Sequence, residues 1–566
     1  MISKNLSGLI LWSIIVGETV AVSFVSKNEY NSTLQVATKS GIIQGTQVHL
    51  EHGKSYLAYY GIPYAAPPLN SLRFRDPHPV KRWKGVLNAT TKLQSGCVET
   101  QFRIIGEIFQ SRGTEDCLYA NVYTPIRKSN KSNYPVIFYI YGGAFIEGSA
   151  ESYNPEYLVE HDLIIVNFNY RGGLFGFLST EDEGSYGNYG LKDQFAALKW
   201  VNLNIKSFGG DPKRVTMAGH SSGSVSALYQ MIYPKSWGLY CGVIGLSGEM
   251  SGALGMQKDS RKIAFDIGSY LGIKTNNSTK LVESLRKLEL SKLHEAQNKV
   301  ILSIFPNLLQ TGLVFSPVIE KDHEDAFLTK NSMDLLKSGL FARVPLLTGM
   351  TSNEIAVLGQ TIPLLRFLFL LYEWSPTIFP NQMNITSESG KRKFAREVKK
   401  KYFKNNSFVN VTSDEIAQLL SDLMYTRPIT NSAKIMSSFI PVYFYVFEYR
   451  TLHTKEFLRN GGYPLDISLQ GVAHIEDVIY IWKFSGLELT PEADETRKRM
   501  TKIWSNFARY GNPTPTVDPL LQNIIWPQIP KTKDIPYLRI DVNFSIEKNF
   551  RLEYVNFLNE LAENSE

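Results

Sequence analysis

Two long, mainly apolar runs in the first half of the chain restrict its fold more than any other feature. Residues 134–141 read YPVIFYIY and residues 163–170 read LIIVNFNY. A strand with one face in water alternates apolar with polar side chains, whereas a strand covered on both faces is apolar along its whole length. The two runs therefore predict buried strands of a mostly parallel sheet.

Segments with helical spacing alternate with these runs and with further strand-like runs. Residues 190–205 have the apolar spacing of a helix, and a second helix is predicted at 224–231. Additional strands are predicted at 214–219, 240–247, 344–349 and 442–450. Because strands and helices alternate, we predict an α/β protein in which helices flank the sheet.

Two parts of the chain fall outside this alternation. Short β-type runs separated by turns, at 34–38, 41–48 and 55–60, predict a small β-sheet near the N-terminus. The more polar, helix-rich stretch at 255–430 predicts a helical cap over one end of the main sheet. Within it, residues 361–371 are apolar but too few to cross a bilayer, which favours a buried or lid helix.

Composition narrows the class of protein without indicating an activity. With 43% hydrophobic and 20% charged residues, the chain is typical of a globular protein and not of a disordered one. The net charge of +7 is mild for 566 residues, and the one dense basic run, 391–404, is interpreted as a solvated helix face. We therefore expect no nucleic-acid partner.

The first residues have the features of a secretory signal peptide. Lys4 supplies a positive charge, residues 8–16 form a short apolar core, and Glu18 ends the apolar run too early for a spanning helix. We predict a signal peptide over residues 1–23, with an approximate cleavage site, and a secreted, extracellular product. The C-terminal residues resemble neither a lipid-anchor signal nor a retrieval signal, so no stable membrane anchor is expected.

Cysteines and sequons agree with an oxidising, extracellular compartment. Cys97 and Cys117 are near enough in sequence to form a bridge, which would contribute about 3 kcal/mol. Cys241 lies in an apolar setting and is predicted to be a buried free thiol. Candidate N-glycosylation sites are Asn31, Asn88, Asn130, Asn276, Asn277, Asn384, Asn405, Asn410 and Asn543.

Residues 219–223 read GHSSG and lie between a predicted strand and a predicted helix. A G-x-S-x-G sequence in this context is typical of a nucleophile elbow, a sharp turn that exposes the serine hydroxyl at the carboxyl end of a sheet. Glycines remove side chains that would clash in the turn, and the helix N-terminus favours developing negative charge. Ser221 is therefore the candidate nucleophile.

A second glycine-rich turn, GGAF at 142–145, follows the strand-like run at 134–141. Acyl transfer needs hydrogen-bond donors aimed at the oxyanion of the tetrahedral intermediate. Small residues after a tight glycine allow backbone N–H groups to face a cavity. We predict that the N–H groups of Gly143, Ala144 and Ser222 form this oxyanion hole.

Ordered blocks of sequence resemble those of the type-B carboxylesterases, the cholinesterase-like branch of the α/β-hydrolases. The blocks are GIPYAAPP (61–68), LRF (72–74), EDCLYANVYTP (115–125), YGGAF (141–145), NYRGGLFGFLS (169–179), GNYGLKDQFAALKWVNLNIKSFGGDP (187–212), VTMAGHSSG (215–223), GMTSNE (349–354) and GVAHIED (471–477). The resemblance implies one large α/β-hydrolase domain over 24–566, although length alone would predict about four domains. It also implies that Cys97 pairs with Cys117.

The resemblance further implies the partners of Ser221. The acid of this family ends a G-x-x-x-x-E pattern after a strand, which here makes it Glu354, and the histidine lies in the block GVAHIED, which makes it His474. The order Ser–Glu–His along the chain is the one that the α/β-hydrolase fold uses. We do not expect His220 to be the base, because the elbow turns the side chains of neighbouring residues, here His220 and Ser221, away from one another. No metal and no organic cofactor is implied.

The resemblance predicts a serine carboxylesterase that forms an acyl-enzyme on Ser221, with a small-molecule ester as substrate. Cholinesterase-like members stack a quaternary ammonium on a tryptophan inside the first disulfide loop, and residues 98–116 contain none. His220 stands where the family often has an acidic residue. Both differences favour neutral esters, and His220 together with GGAF resembles the secreted insect β-esterases.

Three alternatives remain open at this point. The first is a choline esterase, and the second is an esterase specific for juvenile hormone, whose family relatives usually carry glutamine at position 220. The third is a catalytically silent binding or adhesion protein, although such relatives typically lack the nucleophile or the histidine. The residues that separate these alternatives are Ser221, His474 and His220.

Overall fold

The computed structural model describes residues 34–50, 53–102, 109–126, 133–252, 255–304, 312–363, 383, 385, 387–404 and 410–564. The strands of this part of the chain are β1 (Gln35–Ala37), β2 (Ile42–Gln44), β3 (Thr46–His49), β4 (Ser55–Pro63), β5 (Val86–Asn88), β6 (Glu99–Phe102), β7 (Phe109–Arg112), β8 (Tyr119–Pro125), β9 (Tyr134–Ile140), β10 (Ile164–Phe168), β11 (Gly210–His220), β12 (Gly242–Leu246), β13 (Leu346–Thr351), β14 (Val442–Phe447), β15 (Pro536–Ile540) and β16 (Ser545–Lys548). The predicted signal peptide, 1–23, lies outside the described residues.

The helices alternate with the strands over most of the chain. They are α1 (Glu156–Val159), α2 (Gly173–Phe177), α3 (Tyr189–Asn204), α4 (Ser222–Ile232), α5 (Ser260–Tyr270), α6 (Ser278–Arg286), α7 (Leu290–Ile304), α8 (Ser332–Lys337), α9 (Glu388–Phe403), α10 (Ser413–Ser421), α11 (Arg427–Ser437), α12 (Leu452–Asn460), α13 (Pro491–Tyr510) and α14 (Leu552–Glu563). A π-helix, Asp422–Thr426, connects α10 to α11. No helix among the described residues is both long and apolar enough to cross a membrane.

One large sheet forms the centre of the molecule. Its strand order is β16-β15-β14-β13-β12-β11-β9-β10-β8-β4-β3. Neighbours from β10 to β15 pair in parallel, whereas β8, β4 and β3 at one edge and β16 at the other pair antiparallel. The prediction of a mostly parallel sheet flanked by helices is therefore confirmed.

The two apolar runs form the strands that they predict. Every residue of β9 and of β10 is buried, because helices cover the sheet. Helix α4 packs against β11 and β12, and α13 packs against β9 and β11. Burial on both faces explains why β9 lacks the polar alternation of a half-exposed strand. In the second run, Asn167 is buried, and its side-chain amide is hydrogen-bonded to Asn121 and to the Ala150 carbonyl.

The predicted N-terminal sheet is present, but it contains fewer of the predicted runs than expected. Strands β1, β2 and β5 form a separate three-stranded sheet. Strands β3 and β4 belong instead to the edge of the main sheet, where β4 pairs with β8. Sequence alternation marks a strand as half-buried but does not reveal its pairing partner, which explains the difference.

The order of the strands opens a crevice at the carboxyl edge of the sheet. The chain passes from β9 to β10 on one side of β9, and then to β11 on its other side. The loops that follow β9 and β11 therefore leave adjacent strands in opposite directions. Such a switch point is where open α/β sheets place their ligands.

The stretch 255–430 is helix-rich as predicted, although β13 passes through it as a strand of the main sheet. Helix α7 joins this cap to the core, because Gln297 Oε1 accepts a hydrogen bond from Leu174 N–H at 2.6 Å. In α9, which carries the basic run, Phe394 and Val398 are buried while Arg392 is exposed. Most of the predicted lid helix at 361–371 lies outside the described residues.

The cysteines form one bridge and leave one thiol. Cys97 and Cys117 form a disulfide bond, and the hairpin of β6 and β7 lies within the loop that it closes. Cys241 is a free thiol as predicted, but it is partly exposed and not buried. It precedes β12 at the amino end of the strand, where the core meets solvent, and its partial burial raises the pKa of the thiol.

Candidate active site

Ser221 occupies a strained turn between β11 and α4. Its backbone angles are φ 56° and ψ −126°, a region that residues other than glycine rarely adopt. The neighbouring structure holds the turn, because Ser221 N–H donates to the Leu246 carbonyl at 2.8 Å and Val225 N–H donates to the Ser221 carbonyl at 3.0 Å. The prediction of an elbow at residues 219–223 therefore agrees with the backbone at this point.

The glycines of the elbow are required by close backbone contacts. A Cβ atom at Gly219 would lie 2.2 Å from the Gly223 carbonyl oxygen. A Cβ atom at Gly223 would lie 2.0 Å from the Ile140 carbonyl oxygen. Both distances are far below van der Waals contact, so the turn cannot form with larger residues at these two positions.

The loop that follows β9 packs directly on the elbow. A Cβ atom at Gly142 would lie 2.5 Å from the His220 carbonyl oxygen and 2.9 Å from the Ser221 Cβ. Three consecutive residues then have positive φ: Gly143 at 126°, Ala144 at 52° and Phe145 at 61°. The loop and the serine are therefore neighbours at the carboxyl edge of the sheet.

The backbone donors of this loop are available for a ligand. The N–H groups of Gly143 and Ala144 donate to no acceptor within the described part of the chain. Phe145 N–H donates to Ser222 Oγ at 3.3 Å, which joins the loop to the first residue of α4. The N–H of a first helical residue has no intrahelical partner, so Ser222 N–H is a third donor near the serine.

Glu354 lies three residues beyond β13 and is buried. Its Oε1 accepts hydrogen bonds from Thr351 N–H and from Ser247 Oγ–H, each at 2.7 Å. Its Oε2 lies 2.5 Å from Nδ1 of His474. The structure thus brings together the acid and the histidine that the sequence resemblance implies.

Main-chain contacts join the acid segment to the loop that carries His474. Asn353 N–H donates to the Val472 carbonyl at 2.9 Å, and His474 N–H donates to the Glu354 carbonyl at 3.2 Å. Val472 N–H also donates to Ser352 Oγ at 3.0 Å. These bonds fix the two segments together, although 120 residues separate Glu354 from His474.

The side chain of His220 lies against the candidate base, a contact that the sequence interpretation did not anticipate. Its ring lies against the His474 imidazole, with centroids 4.5 Å apart and planes inclined by 39°. The loop that carries His474 crosses the end of β11, and His220 is the last residue of that strand. The His220 side chain therefore contacts the His474 ring. This contact also places His474 beside the elbow, because His220 is the residue directly before Ser221.

His220 is neutral in this environment. Only 3% of the residue is exposed, and burial, together with the nearby His474, holds the pKa of His220 well below its usual range. Its Nε2 is buried and has no hydrogen-bond partner among the described residues. The position before the nucleophile therefore carries no charge.

Asp477 is a buried group near the site that sequence reasoning missed. Its Oδ2 accepts a hydrogen bond from Tyr445 Oη at 2.8 Å. The pKa of Asp477 is raised to about 7, first because burial disfavours its charge and second because the Glu354 carboxylate is near. The only sequence feature that could have identified Asp477 is its position three residues after His474. Closeness in sequence to a candidate site residue is shared by many carboxylates, so it does not single out Asp477.

The raised pKa of Asp477 leads to a testable dependence of stability on pH. An unfolded aspartate has a pKa of about 4, so the native state binds the Asp477 proton more tightly than the unfolded state does. Binding of this proton stabilises the native state at low pH, and the stabilisation is lost as the pH rises through about 7. Asp477→Asn has no proton to lose at this position, so its stability should not show this decrease. We expect the Tm of the variant minus that of the wild type to increase from about pH 5 to about pH 8 in thermal melts. A constant difference would contradict the assignment.

The mixed central sheet, with helices on its flanks and a serine elbow at its carboxyl edge, defines the α/β-hydrolase fold. The profile of the Carboxylesterase family matches residues 32–558, and the chain belongs to this family. Its activity is therefore the hydrolysis of carboxylic esters, and its substrates are small-molecule esters.

Relatives extend this similarity across the whole chain. A carboxylic ester hydrolase of Bombus ignitus is 31% identical, with 95% of each chain covered. Venom carboxylesterase-6 of Apis mellifera is 30% identical, with 92% of each chain covered. Among solved structures, juvenile hormone esterase of Manduca sexta, with OTFP covalently attached, superposes with a TM-score of 0.80 at 27% identity, covering 94% of this chain and 99% of that one.

Proposed function

We propose that this chain is a secreted serine carboxylesterase that hydrolyses neutral carboxylic esters to an acid and an alcohol through an acyl-enzyme on Ser221. The observation that carries the proposal is the 2.5 Å contact between Nδ1 of His474 and Oε2 of Glu354. A histidine oriented by a buried carboxylate beside a serine elbow has the arrangement of a general base for that serine. The ring contact of His474 with His220 supports this placement.

In the acylation half of the reaction, Ser221 Oγ attacks the carbonyl carbon of the ester while His474 Nε2 accepts the hydroxyl proton. Glu354 keeps the other imidazole proton on Nδ1 and stabilises the imidazolium. The tetrahedral oxyanion accepts hydrogen bonds from the N–H groups of Gly143, Ala144 and Ser222. Such donors act mainly on the transition state, and each contributes about 3 kcal/mol to lowering the barrier.

The intermediate then collapses and the ester C–O bond breaks. The imidazolium of His474 returns its proton to the leaving alkoxide, which departs as the alcohol and leaves the acyl group on Ser221. In deacylation a water molecule attacks the acyl carbon while His474 accepts one of its protons. The second tetrahedral intermediate expels Ser221 Oγ, which recovers its proton from His474, and the carboxylic acid leaves.

The preference for neutral esters is supported by two features around the site. Residues 98–116, within the disulfide loop, contain no tryptophan on which a quaternary ammonium could stack. His220 is uncharged because it is buried, so the position before the nucleophile does not attract a cation. Neither position favours a choline ester.

The second candidate function is a juvenile-hormone esterase. The structural similarity to the Manduca sexta enzyme favours it, whereas His220 departs from the glutamine that the sequence resemblance associates with that role. A catalytically silent binding protein is the third candidate. It is disfavoured because Ser221, Glu354 and His474 are all present and two of them are hydrogen-bonded.

A series of ester substrates separates the three candidates. We expect the purified protein to hydrolyse p-nitrophenyl acetate and longer p-nitrophenyl esters faster than acetylthiocholine, and a fluorophosphonate probe to label one serine per chain. The length of the acyl chain that is hydrolysed fastest would indicate the size of the pocket that binds the acyl group. Turnover of juvenile hormone that greatly exceeds that of every p-nitrophenyl ester would favour the second candidate, and absence of both turnover and labelling would favour the third.

Secretion is supported by the predicted signal peptide and by the exposure of sequons. Every candidate glycosylation site within the described residues is exposed: Asn88, Asn276, Asn277, Asn410 and Asn543. The remaining sites, Asn31, Asn130, Asn384 and Asn405, lie outside the described residues. An exposed asparagine can carry a glycan without disturbing the core.

Expression of the full chain in insect cells tests this proposal. We expect the protein in the medium, with its N-terminus near residue 24 and with a gel mobility that increases after peptide N-glycosidase treatment. Mass spectrometry of the released peptides would then identify the occupied sequons. Retention inside the cells with an intact N-terminus and no mobility change would contradict secretion.

A further inference from the structure

We propose that His220 and Tyr425 are positioning residues that hold the imidazole of His474 in the orientation needed for proton transfer. The proposal rests on the proposed function, in which His474 is the general base. Both residues contact the ring of His474, and neither takes part in the reaction steps derived above.

A hydrogen bond to Glu354 does not by itself orient the imidazole. The contact between Nδ1 and Oε2 fixes one atom of the ring, but the ring can still swing about that atom and carry Nε2 away from Ser221. The backbone after His474 is also strained, since the β-branched residue Ile475 has a φ of 79°. Surrounding side chains must therefore define the plane of the ring.

His220 supplies one of these contacts from a rigid position. Its ring centroid lies 4.5 Å from that of His474, and its backbone pairs in parallel with Leu246 of β12. The loop at Gly142 packs against its carbonyl oxygen, so the residue cannot move without disturbing the elbow. Because burial keeps His220 neutral, it does not repel the imidazolium that forms on His474.

Tyr425 supplies the second contact from the cap. Its ring centroid lies 5.2 Å from that of His474, with the planes inclined by 48°. Tyr425 belongs to the π-helix Asp422–Thr426. Single π-turns are rare and occur frequently at functional sites. The extra residue changes the direction of side chains relative to a regular α-helix.

Buried polar contacts hold this π-helix in place. Asp422 accepts hydrogen bonds from Tyr402 Oη at 2.9 Å and from Arg551 Nε at 2.6 Å. On the other side, Ser421 Oγ accepts a hydrogen bond from Ile355 N–H at 3.0 Å. The element that positions Tyr425 is thus bonded directly to the segment that carries Glu354, so the acid and the ring contact are positioned together.

The consequence is a specific kinetic effect. A misplacement of about 1 Å in a reacting group can cost about 100-fold in rate. We therefore expect His220→Ala and Tyr425→Ala each to lower kcat about 10- to 100-fold, while KM changes less than about threefold. Tyr425→Phe keeps the ring, and His220→Gln keeps a planar neutral group, so both should retain most of the wild-type kcat.

The experiment compares these variants with a matched control, His161→Ala. His161 is a partly buried histidine that contacts Thr501 and lies outside the site, so its loss should lower Tm and leave kcat unchanged. Rates are expressed per active site after titration with the fluorophosphonate probe, and the rate constant of phosphonylation is measured separately from turnover. We expect this rate constant to fall in parallel with kcat in the two alanine variants.

The outcomes distinguish this inference from the proposed function. If Ser221→Ala is inactive while His220→Ala and Tyr425→Ala keep the wild-type kcat, the inference is wrong and the proposed function stands. A loss in His161→Ala as large as in the site variants would assign the effect to stability and would also overturn the inference. If Ser221→Ala remains fully active, the proposed function is wrong and the inference falls with it.

Discussion

Ser221→Ala is expected to lower kcat for p-nitrophenyl acetate by about 10⁵- to 10⁶-fold. The substitution removes the atom that attacks the ester, whereas the N–H groups of Gly143, Ala144 and Ser222 remain and leave only the slow attack of water on a bound substrate. Folding should be preserved, because alanine at φ 56° carries about the same strain as serine and the two elbow glycines are unchanged. Steady-state kinetics and a thermal melt of the same sample measure both effects.

A serine just beyond the C-terminal end of α4 provides the matched control. Ser236 is fully buried, and its hydroxyl donates to the carbonyl of Gln230. Ser236→Ala removes a serine hydroxyl as Ser221→Ala does, but beyond the C-terminal end of α4, a helix about 16 Å long that begins at the elbow. We expect a lower Tm and an unchanged kcat. Residual turnover in Ser221→Ala within about tenfold of the wild type would show that another group is the nucleophile.

Local features of the sequence predicted the parts of this structure that depend on local packing. The runs that became β9 and β10 are buried along their whole length because both of their faces are covered, and Asn167 is the one strongly polar residue of these two strands. The elbow was recognisable because its glycines and its serine lie within five consecutive residues, although the contact that requires Gly223 is with the distant Ile140 carbonyl. Glu354, by contrast, was identified only through the family resemblance, since no local pattern separates it from the other carboxylates of the chain.

Contacts between distant segments could not be predicted from the sequence. The contact between His220 and His474 was not anticipated, because local elbow geometry does not show that the loop of His474 crosses the end of β11. The π-helix had no local sequence signal either, and Arg551, which forms an ion pair with Asp422 of this helix, lies 129 residues away in sequence. From the sequence, Tyr425 cannot be distinguished from other apolar residues of an amphipathic helix. Its role is indicated only by its contact with His474 in the structure.

Glu354→Gln is expected to lower kcat about 10⁴-fold, with a small change in KM. The carboxylate accepts hydrogen bonds from Thr351 N–H, Ser247 Oγ–H and the Nδ1 of His474. A glutamine has one acceptor oxygen and one amide NH₂. If the oxygen keeps the bonds to Thr351 and Ser247, the NH₂ group faces Nδ1 of His474. That atom must then accept, which moves the imidazole proton to Nε2, where it blocks proton transfer from Ser221.

The matched control is a second buried carboxylate outside the site. Glu320 is buried and contacts Lys192 and His323, so Glu320→Gln should lower Tm by breaking a buried ion pair while kcat stays near that of the wild type. The comparison separates the cost of altering a buried carboxylate from the cost of the wrong tautomer at His474. If Glu354→Gln keeps kcat within about tenfold of the wild type, the carboxylate does not control that tautomer, and another group must orient the base.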